Sequence, residues 1–477
     1  MNDAAVETAD ALAEAGGDFG GFLRSAGRLA AARQVSALCL VAAVFVLPAV
    51  AHRGVATDFV WAYFAMLTLT SVLGLGFERL AGIVSAARGD APLARVLAPV
   101  ATLRLATLPA VALGQWALFW FVGVHLSATA WWATFAWVVA GLAVAILFGG
   151  LRATGDAVTE PVVMIVVRAA QALCIVGLAV AGASLVALVG AVALCEWAGV
   201  VAAGRAAGHL GAPSRGWFAW RALPRRRALA YAGIEVVGIA NLRMDLLLVG
   251  HMLGAVPGAT YGLMYRVVDA FNGVVGSAGL WLFAEGANNR DGGVDRQGLR
   301  ARSLALLPAF GVAIGLLVVL GAGLAGSIVP RVGAETDTLR LLAVAFPILS
   351  VNAVELHVRA GRGRTREVLW ANSVTLAVNL PLCIAAISAF GLAGAAAALV
   401  VSELVQASVL WWTASRDERS LLGSAVATAM VGGAGLLVAT GALSAGSVLL
   451  AGLATIAVMG LVVQRLAAAT RTSLVTT

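Results

Sequence analysis

The residues best placed for chemistry are five ionisable groups inside one apolar stretch. From Asn241 to Phe271 the chain reads NLRMDLLLVGHMLGAVPGATYGLMYRVVDAF, with Arg243, Asp245, His251, Arg266 and Asp269 set among aliphatic residues. Two apolar segments meet there at a Gly/Pro turn, so the pattern predicts two helices. A charge within a membrane span is expensive and marks a bundle interior or a wet pathway. Asn241 and Asp245 share one helical stripe at i, i+4, and Arg266 and Asp269 share another at i, i+3. Counting along the helices places Arg243 about 14 Å and Arg266 about 12 Å from the same face. Asp245 and Arg266 are therefore expected to meet at one depth. Arg266 is the leading candidate to hold an anionic headgroup, because a guanidinium can take two phosphate oxygens at once. The competing reading is an interhelical ion pair that only fixes packing. Asp245 or Asp269 could instead bind a coupling cation. His251 is expected at the interface, in water.

Further candidates lie elsewhere. Arg168 and Glu196 are each about 17 Å deep on neighbouring spans and are expected to pair. Arg104 is close enough to one face to snorkel, and otherwise belongs with the cavity charges. Glu235 and Glu355 are weaker candidates. Catalytic signatures are absent. A phosphate-binding P-loop needs Lys, and every basic residue here is Arg. No HExxH, GxSxG or Asp-rich loop occurs. Cys39, Cys174, Cys195 and Cys383 fall in apolar runs without CxxC spacing, which argues against a disulfide framework or a zinc site. No catalytic residue, metal or cofactor is expected, and the chain is not read as an enzyme. Active transport would draw on an ion gradient, the membrane potential or substrate flux.

The elements that must position these residues are membrane spans. The 477 residues are 61% hydrophobic and 12% charged, with mean hydropathy +0.95; a soluble chain carries about twice that charge. Apolar runs long enough to cross about 30 Å of hydrocarbon recur about fourteen times. With the N-terminus inside, 25 of the 32 Arg fall in inside segments, and only Arg53 and Arg331 in outside loops. This follows the positive-inside rule, so both termini are expected in the cytoplasm. The net charge of +8 does not point to nucleic acid, because the Arg alternate with spans instead of forming one patch. The expected organisation is a cytoplasmic tail and amphipathic segment (1–34), a first lobe of six spans (35–204), a basic linker (205–227), a second lobe of six spans (228–414), and two further spans with a C-terminal tail (415–477).

The lobes are read as a repeat. Arg152 and Arg359, Glu160 and Glu367, and Glu196 and Glu403 are each 207 positions apart. A unit of six spans keeps its orientation, so the halves are parallel repeats, with a central cavity between them that opens alternately to each side. The last two spans have no ionisable residue before Arg465 apart from those at their approach, and are expected to face lipid or a partner.

The stretch from Asn241 to Phe271 resembles the seventh and eighth helices of bacterial polysaccharide-unit flippases, members of the multidrug/oligosaccharidyl-lipid/polysaccharide exporter superfamily. GFERLAGIVSAARGD after the second span and GLAGAAAALVVSELVQA at the twelfth share that look. The resemblance implies a multi-pass protein of the bacterial plasma membrane, built as a V-shaped pair of lobes. It would move an undecaprenyl-pyrophosphate-linked oligosaccharide from the inner to the outer leaflet, beside polysaccharide polymerase and export proteins. Arg266 matches a position where such flippases place a cavity Arg. Lipid II flippases carry cavity charges in their first two helices; here those spans are charged only at their ends, which favours a polysaccharide unit. Two alternatives stand beside this reading: a cation-coupled multidrug exporter of the same fold, and a non-transporting scaffold of a polysaccharide synthesis complex.

Overall fold

The computed structural model describes residues 31–441, apart from 33, 37, 75–76, 79–80, 82–92, 154–155, 157, 209–224, 289–295, 329 and 334. Almost all of the predicted amphipathic tail, most of the basic linker and the last expected span lie outside the described residues. So does the side chain of Arg152.

The described residues form helices throughout. The first lobe holds α1 (Gln34–Val50), α2 (Arg53–Val72), α3 (Leu93–Ala106), α4 (Leu108–Phe121), α5 (Ala128–Ala153), α6 (Thr159–Val180) and α7 (Leu185–Ala206). The second holds α8 (Arg225–Leu253), α9 (Ala255–Asn288), α10 (Arg296–Ile328), α11 (Pro330–Gly333), α12 (Thr336–Val344), α13 (Phe346–Gly361) and α14 (Thr365–Thr413), followed by α15 (Arg416–Gly441). Among the described residues, eight helices are long and apolar enough to cross a membrane, or nine if the bent pair α3–α4 is one span. The eight do not include α8 and α9, the helices with the embedded charges.

Breaks have local causes. Pro109 removes an N–H at the start of α4, and α3 and α4 meet at 46°. Pro347 does the same at the start of α13. α14 contains two predicted spans. It turns back at Gly391, whose φ of 60° suits glycine. A Cβ at Gly394 would lie 1.9 Å from the carbonyl oxygen of Ala386, so the two arms can close this tightly only around glycine.

The 207-residue offset carries over to helix ends. Shifted by it, the ends of α4 and α7 fall on 328 and 413, the last residues of α10 and α14. Within the first lobe α7 packs on α5 and α6. In the second, α14 runs along α8, and α13 packs on α9 and α10. The lobes meet where α2 touches α8 and α9. One apolar core runs through this contact, joining Phe59, Trp61 and Phe64 to Leu246, Val249, Tyr261 and Met264.

α15 turns Met430, Val431, Leu437 and Val438 outward, in keeping with a span that faces lipid or a partner, while its other side packs against α10 and α13. Glu418, in its first turn, lies 3.1 Å from Arg300, 2.8 Å from Arg362 and 3.2 Å from Arg364. Arg300 also forks onto Glu355, at 2.7 and 2.8 Å. Arg359 reaches Glu355, Glu367, Thr413 and the Leu410 carbonyl. The apolar body of α15 concealed an anchor placed at its end. Glu355 belongs to this lattice of charges.

Candidate functional site

A cavity of about 790 Å³ lies between the lobes. Its walls come from the last turns of α2, α5, α7 and α13 and from the early turns of α6 and α14, with α3, α8 and α9 between them. These are the ends that join the Arg-rich loops, called here the basic end. Arg104, Arg168 and Glu196 line it from the first lobe; Glu235, His357 and Asn372 line it from the second.

Arg168 and Glu196 pair as expected. The guanidinium lies 2.6 Å from the carboxylate, and Gln171 donates to the same oxygen at 2.8 Å while accepting from Arg168. All three groups belong to α6 and α7, so the cluster is a charged but internally balanced patch of the first lobe's wall.

Arg104 is 5% exposed and does not snorkel. Its Nη1 donates to the carbonyl of Leu73, just past α2, and lies 3.3 Å from Thr107 Oγ1. Its plane sits over Phe77, 5.3 Å from the ring centre. The bend after α3 and the end of α2 hold the side chain against the cavity wall instead of letting it climb to the interface.

Arg243 and Arg266 are not among the cavity-lining residues in this state. Both converge on Asp269, at 2.7 and 2.9 Å. Above them sit two aromatic rings of α2. Arg266 lies 5.1 Å from the centre of Tyr63 and 5.7 Å from that of Phe64; Arg243 lies 5.5 Å from Phe64 and from Tyr265. A cation over an aromatic face gains about 0.5–2 kcal/mol, more when water is excluded. The first lobe thus covers the second lobe's cations with aromatic carbon.

Asp245 does not meet Arg266. It accepts from the Tyr261 hydroxyl at 2.7 Å and from the Leu246 N–H at 2.8 Å. Equal depth on two helices leaves the rotation of each about its axis open. Asp269, one turn from Arg266, takes the role expected of Asp245. Asn241 bonds to Asn379 across α8 and α14, with both contacts at 3.2 Å. It fastens two helices of one lobe.

Opposite the basic end, the lobes are closed. Trp61 of α2 sits in a notch made by Gly250 and Gly258, and its indole N–H donates to the Ala255 carbonyl at 2.9 Å. His251 is exposed, as expected, yet it also bridges the lobes. Its ring stacks on Phe121 at 4.3 Å, and Nδ1 lies 2.8 Å from the Phe121 carbonyl. The sequence reading missed Trp61, Tyr63 and Phe64. Their signal was the run FVWAYF, four aromatics within six residues of α2.

Among the described residues no group of His, Cys, Asp and Glu could hold a metal ion. No sequence model of a protein family matches the chain, and no curated protein matches it by sequence. Solved structures do match. The chain is similar to the lipid II flippase MurJ in an inward closed conformation, with TM-score 0.68 and 12% identity over 94% of this chain and 99% of that one. It is similar to the Vibrio cholerae MATE transporter VcmN, with TM-score 0.58 and 12% identity over 84% and 99%. The eukaryotic MATE transporter AtDTX14 matches with TM-score 0.59 and 14% identity over 86% and 100%. At these identities the likeness is one of fold. A related match is described as a MATE family transporter of the MOP superfamily. The chain therefore has the all-α, two-lobed fold of the flippases and exporters of that superfamily.

Proposed function

We propose that this protein is a flippase that carries an undecaprenyl-pyrophosphate-linked oligosaccharide, the repeat unit of a surface polysaccharide, from the inner to the outer leaflet of the bacterial plasma membrane. Both termini would lie in the cytoplasm, and polysaccharide polymerase and export proteins would be its partners. One observation carries the reading: a chamber walled by both lobes at the basic end, with the opposite end closed by contacts between the lobes. That is half of an alternating-access cycle. A volume of about 790 Å³ lies within the range of ligand pockets. It suits a headgroup, with the prenyl tail left in lipid. The wall offers Arg168 and Glu196 to polar cargo; Arg243, Arg266 and Asp269 would face it only after the lobes part on the other side.

The test is a leaflet-accessibility assay in reconstituted vesicles loaded with lipid-linked oligosaccharides of several sugar compositions. Protein-dependent translocation of at least one is expected. Translocation of none would end the proposal. The likeness to MATE transporters supports a second reading, cation-coupled export of organic cations through the same chamber. Efflux of such cations by vesicles that move no lipid-linked sugar would favour it. A scaffold without transport would show neither.

A further inference from the structure

Four guanidinium groups of the spans border the cavity or the lobe contact beside it, and they differ in what faces them. Arg243 and Arg266 share Asp269. Arg168 is neutralised by Glu196. Arg104 meets only neutral partners among the described residues: the Leu73 carbonyl, Thr107 and the Phe77 ring. It is buried, and its Nε and Nη2 have no hydrogen-bond partner among the described residues. A buried charge without an opposite charge is strongly unfavourable, and each open N–H adds a desolvation cost.

The two open nitrogens define a direction. Nε and Nη2 lie along one edge of the guanidinium and present parallel N–H bonds, the fork that accepts two oxygens of a phosphate. Nη1, on the other edge, is used for anchoring. A side chain of the chamber wall that is anchored on one edge and unpartnered on the other, with both unpartnered nitrogens covered in this state, has the form of a receptor that an anion would complete.

We infer that Arg104 is an anion-binding residue of the chamber, taking two oxygens of a phosphate or diphosphate group on its Nε/Nη2 edge. The inference rests on the chamber being the substrate site and names the residue that meets the substrate's charge there. Leu73, Phe77 and Thr107 all belong to the first lobe, so the site travels with that lobe. Arg266 has a different role in this state, because Tyr63 and Phe64 cover it.

The test uses the purified full chain in detergent with two probes, farnesyl pyrophosphate and inorganic pyrophosphate, titrated by calorimetry. Wild type should bind farnesyl pyrophosphate, and R104Q should weaken it by about ten-fold or more. R104K should fall between them, since it keeps the charge without the fork. R340Q, at a residue outside the chamber walls, should stay within about two-fold of wild type. Competition by inorganic pyrophosphate would show that the free anion suffices; binding of the farnesyl compound alone would assign the site to a lipid headgroup. R104Q binding as tightly as wild type, with an unchanged melting temperature, overturns the inference. If R104Q does not fold, Ser71→Cys on the same wall supplies the readout. Farnesyl pyrophosphate should slow its reaction with maleimide, and an unprotected cysteine overturns the inference equally. Failure of the flippase reading looks different: no lipid-linked oligosaccharide moves, while probe binding still depends on Arg104. Translocation by R104Q at the wild-type rate would instead remove the site and leave the flippase.

Discussion

A single methyl group at Gly250 tests how the far end is held shut. The Cβ of Gly250→Ala would fall 2.5 and 2.7 Å from Trp61 Cη2 and Cζ2, and 3.3 Å from Val122. Carbon atoms rest about 3.5–4.0 Å apart, so the indole must withdraw by about 1 Å. Gly258 lies against the same edge of the ring, so a shift along the notch gives no relief. Withdrawal also strains the indole bond to the Ala255 carbonyl. Overpacking costs about 1–3 kcal/mol and a lost hydrogen bond about 1 kcal/mol. Both costs fall on the closed far end alone, whereas the helix-propensity gain of Ala over Gly applies to every state and cancels. Taking about 2 kcal/mol, the equilibrium between closed and parted lobes should move about thirty-fold. The assay is a spin-label distance measurement between His125→Cys and Val256→Cys, both exposed at that end on opposite lobes, in a background without the native cysteines. Gly250→Ala should raise the long-distance population, and adding Trp61→Ala should change it no further. An unchanged distribution with unchanged melting would refute the notch as the closing element.

Three further outcomes are expected. Glu355→Gln leaves Arg300 and Arg359 buried and short of charge, and should cost about 3–5 kcal/mol in detergent melting; Asp337→Asn, which frees Arg340 from an exposed partner, should cost far less. Cys174 and Cys195 lie 4.0 Å apart on α6 and α7, near enough for a mild oxidant to join them at about 2.05 Å. Translocation should survive the cross-link, since both helices belong to one lobe; lost transport would contradict a lobe that moves as a body. Asp156, between α5 and α6, is partly buried, which pushes its carboxyl up, yet bonds from Thr159 and Val158 hold it below the usual range. Its stabilisation relative to Asp156→Asn should be full above the ordinary carboxylate pKa and vanish as pH falls through the lower native value. A melting difference that is flat with pH would count against that cap.

Helix positions were legible because hydropathy and Arg placement act along the chain, one residue at a time. The described helices follow the predicted spans in order, and the 207-residue repeat reappears in their ends. What stayed hidden depends on rotation about a helix axis. Asp245 and Asp269 look equivalent in sequence as partners for Arg266, and only the facing of α8 and α9 separates them. Arg168 and Glu196 were readable as a pair because no other opposite charge lay at their depth on α6 and α7. Arg104 was placed by its distance from the membrane face, which carries no information about the Leu73 carbonyl that anchors it. Trp61 needed its receiving glycines, which are nearly 200 residues away.

The turn at Gly391 bears on how the chain enters the membrane. The two arms of α14 are joined almost without a loop, and each carries polar groups that lipid would not accept singly: Asn372 and Asn379 on one arm, Glu403 and Gln406 on the other. Gln406 donates to Asn372 at 2.8 Å, across the turn. In hydrocarbon an unsatisfied polar group costs several kcal/mol, and the hairpin cancels part of that cost without help from a third helix. The pair should therefore partition from the translocon as one unit, and each arm offered alone should integrate less efficiently in a glycosylation-mapping assay. The tight glycine turn is then a feature of biogenesis as well as of the finished fold: it brings two poor membrane segments together early enough for each to satisfy the other.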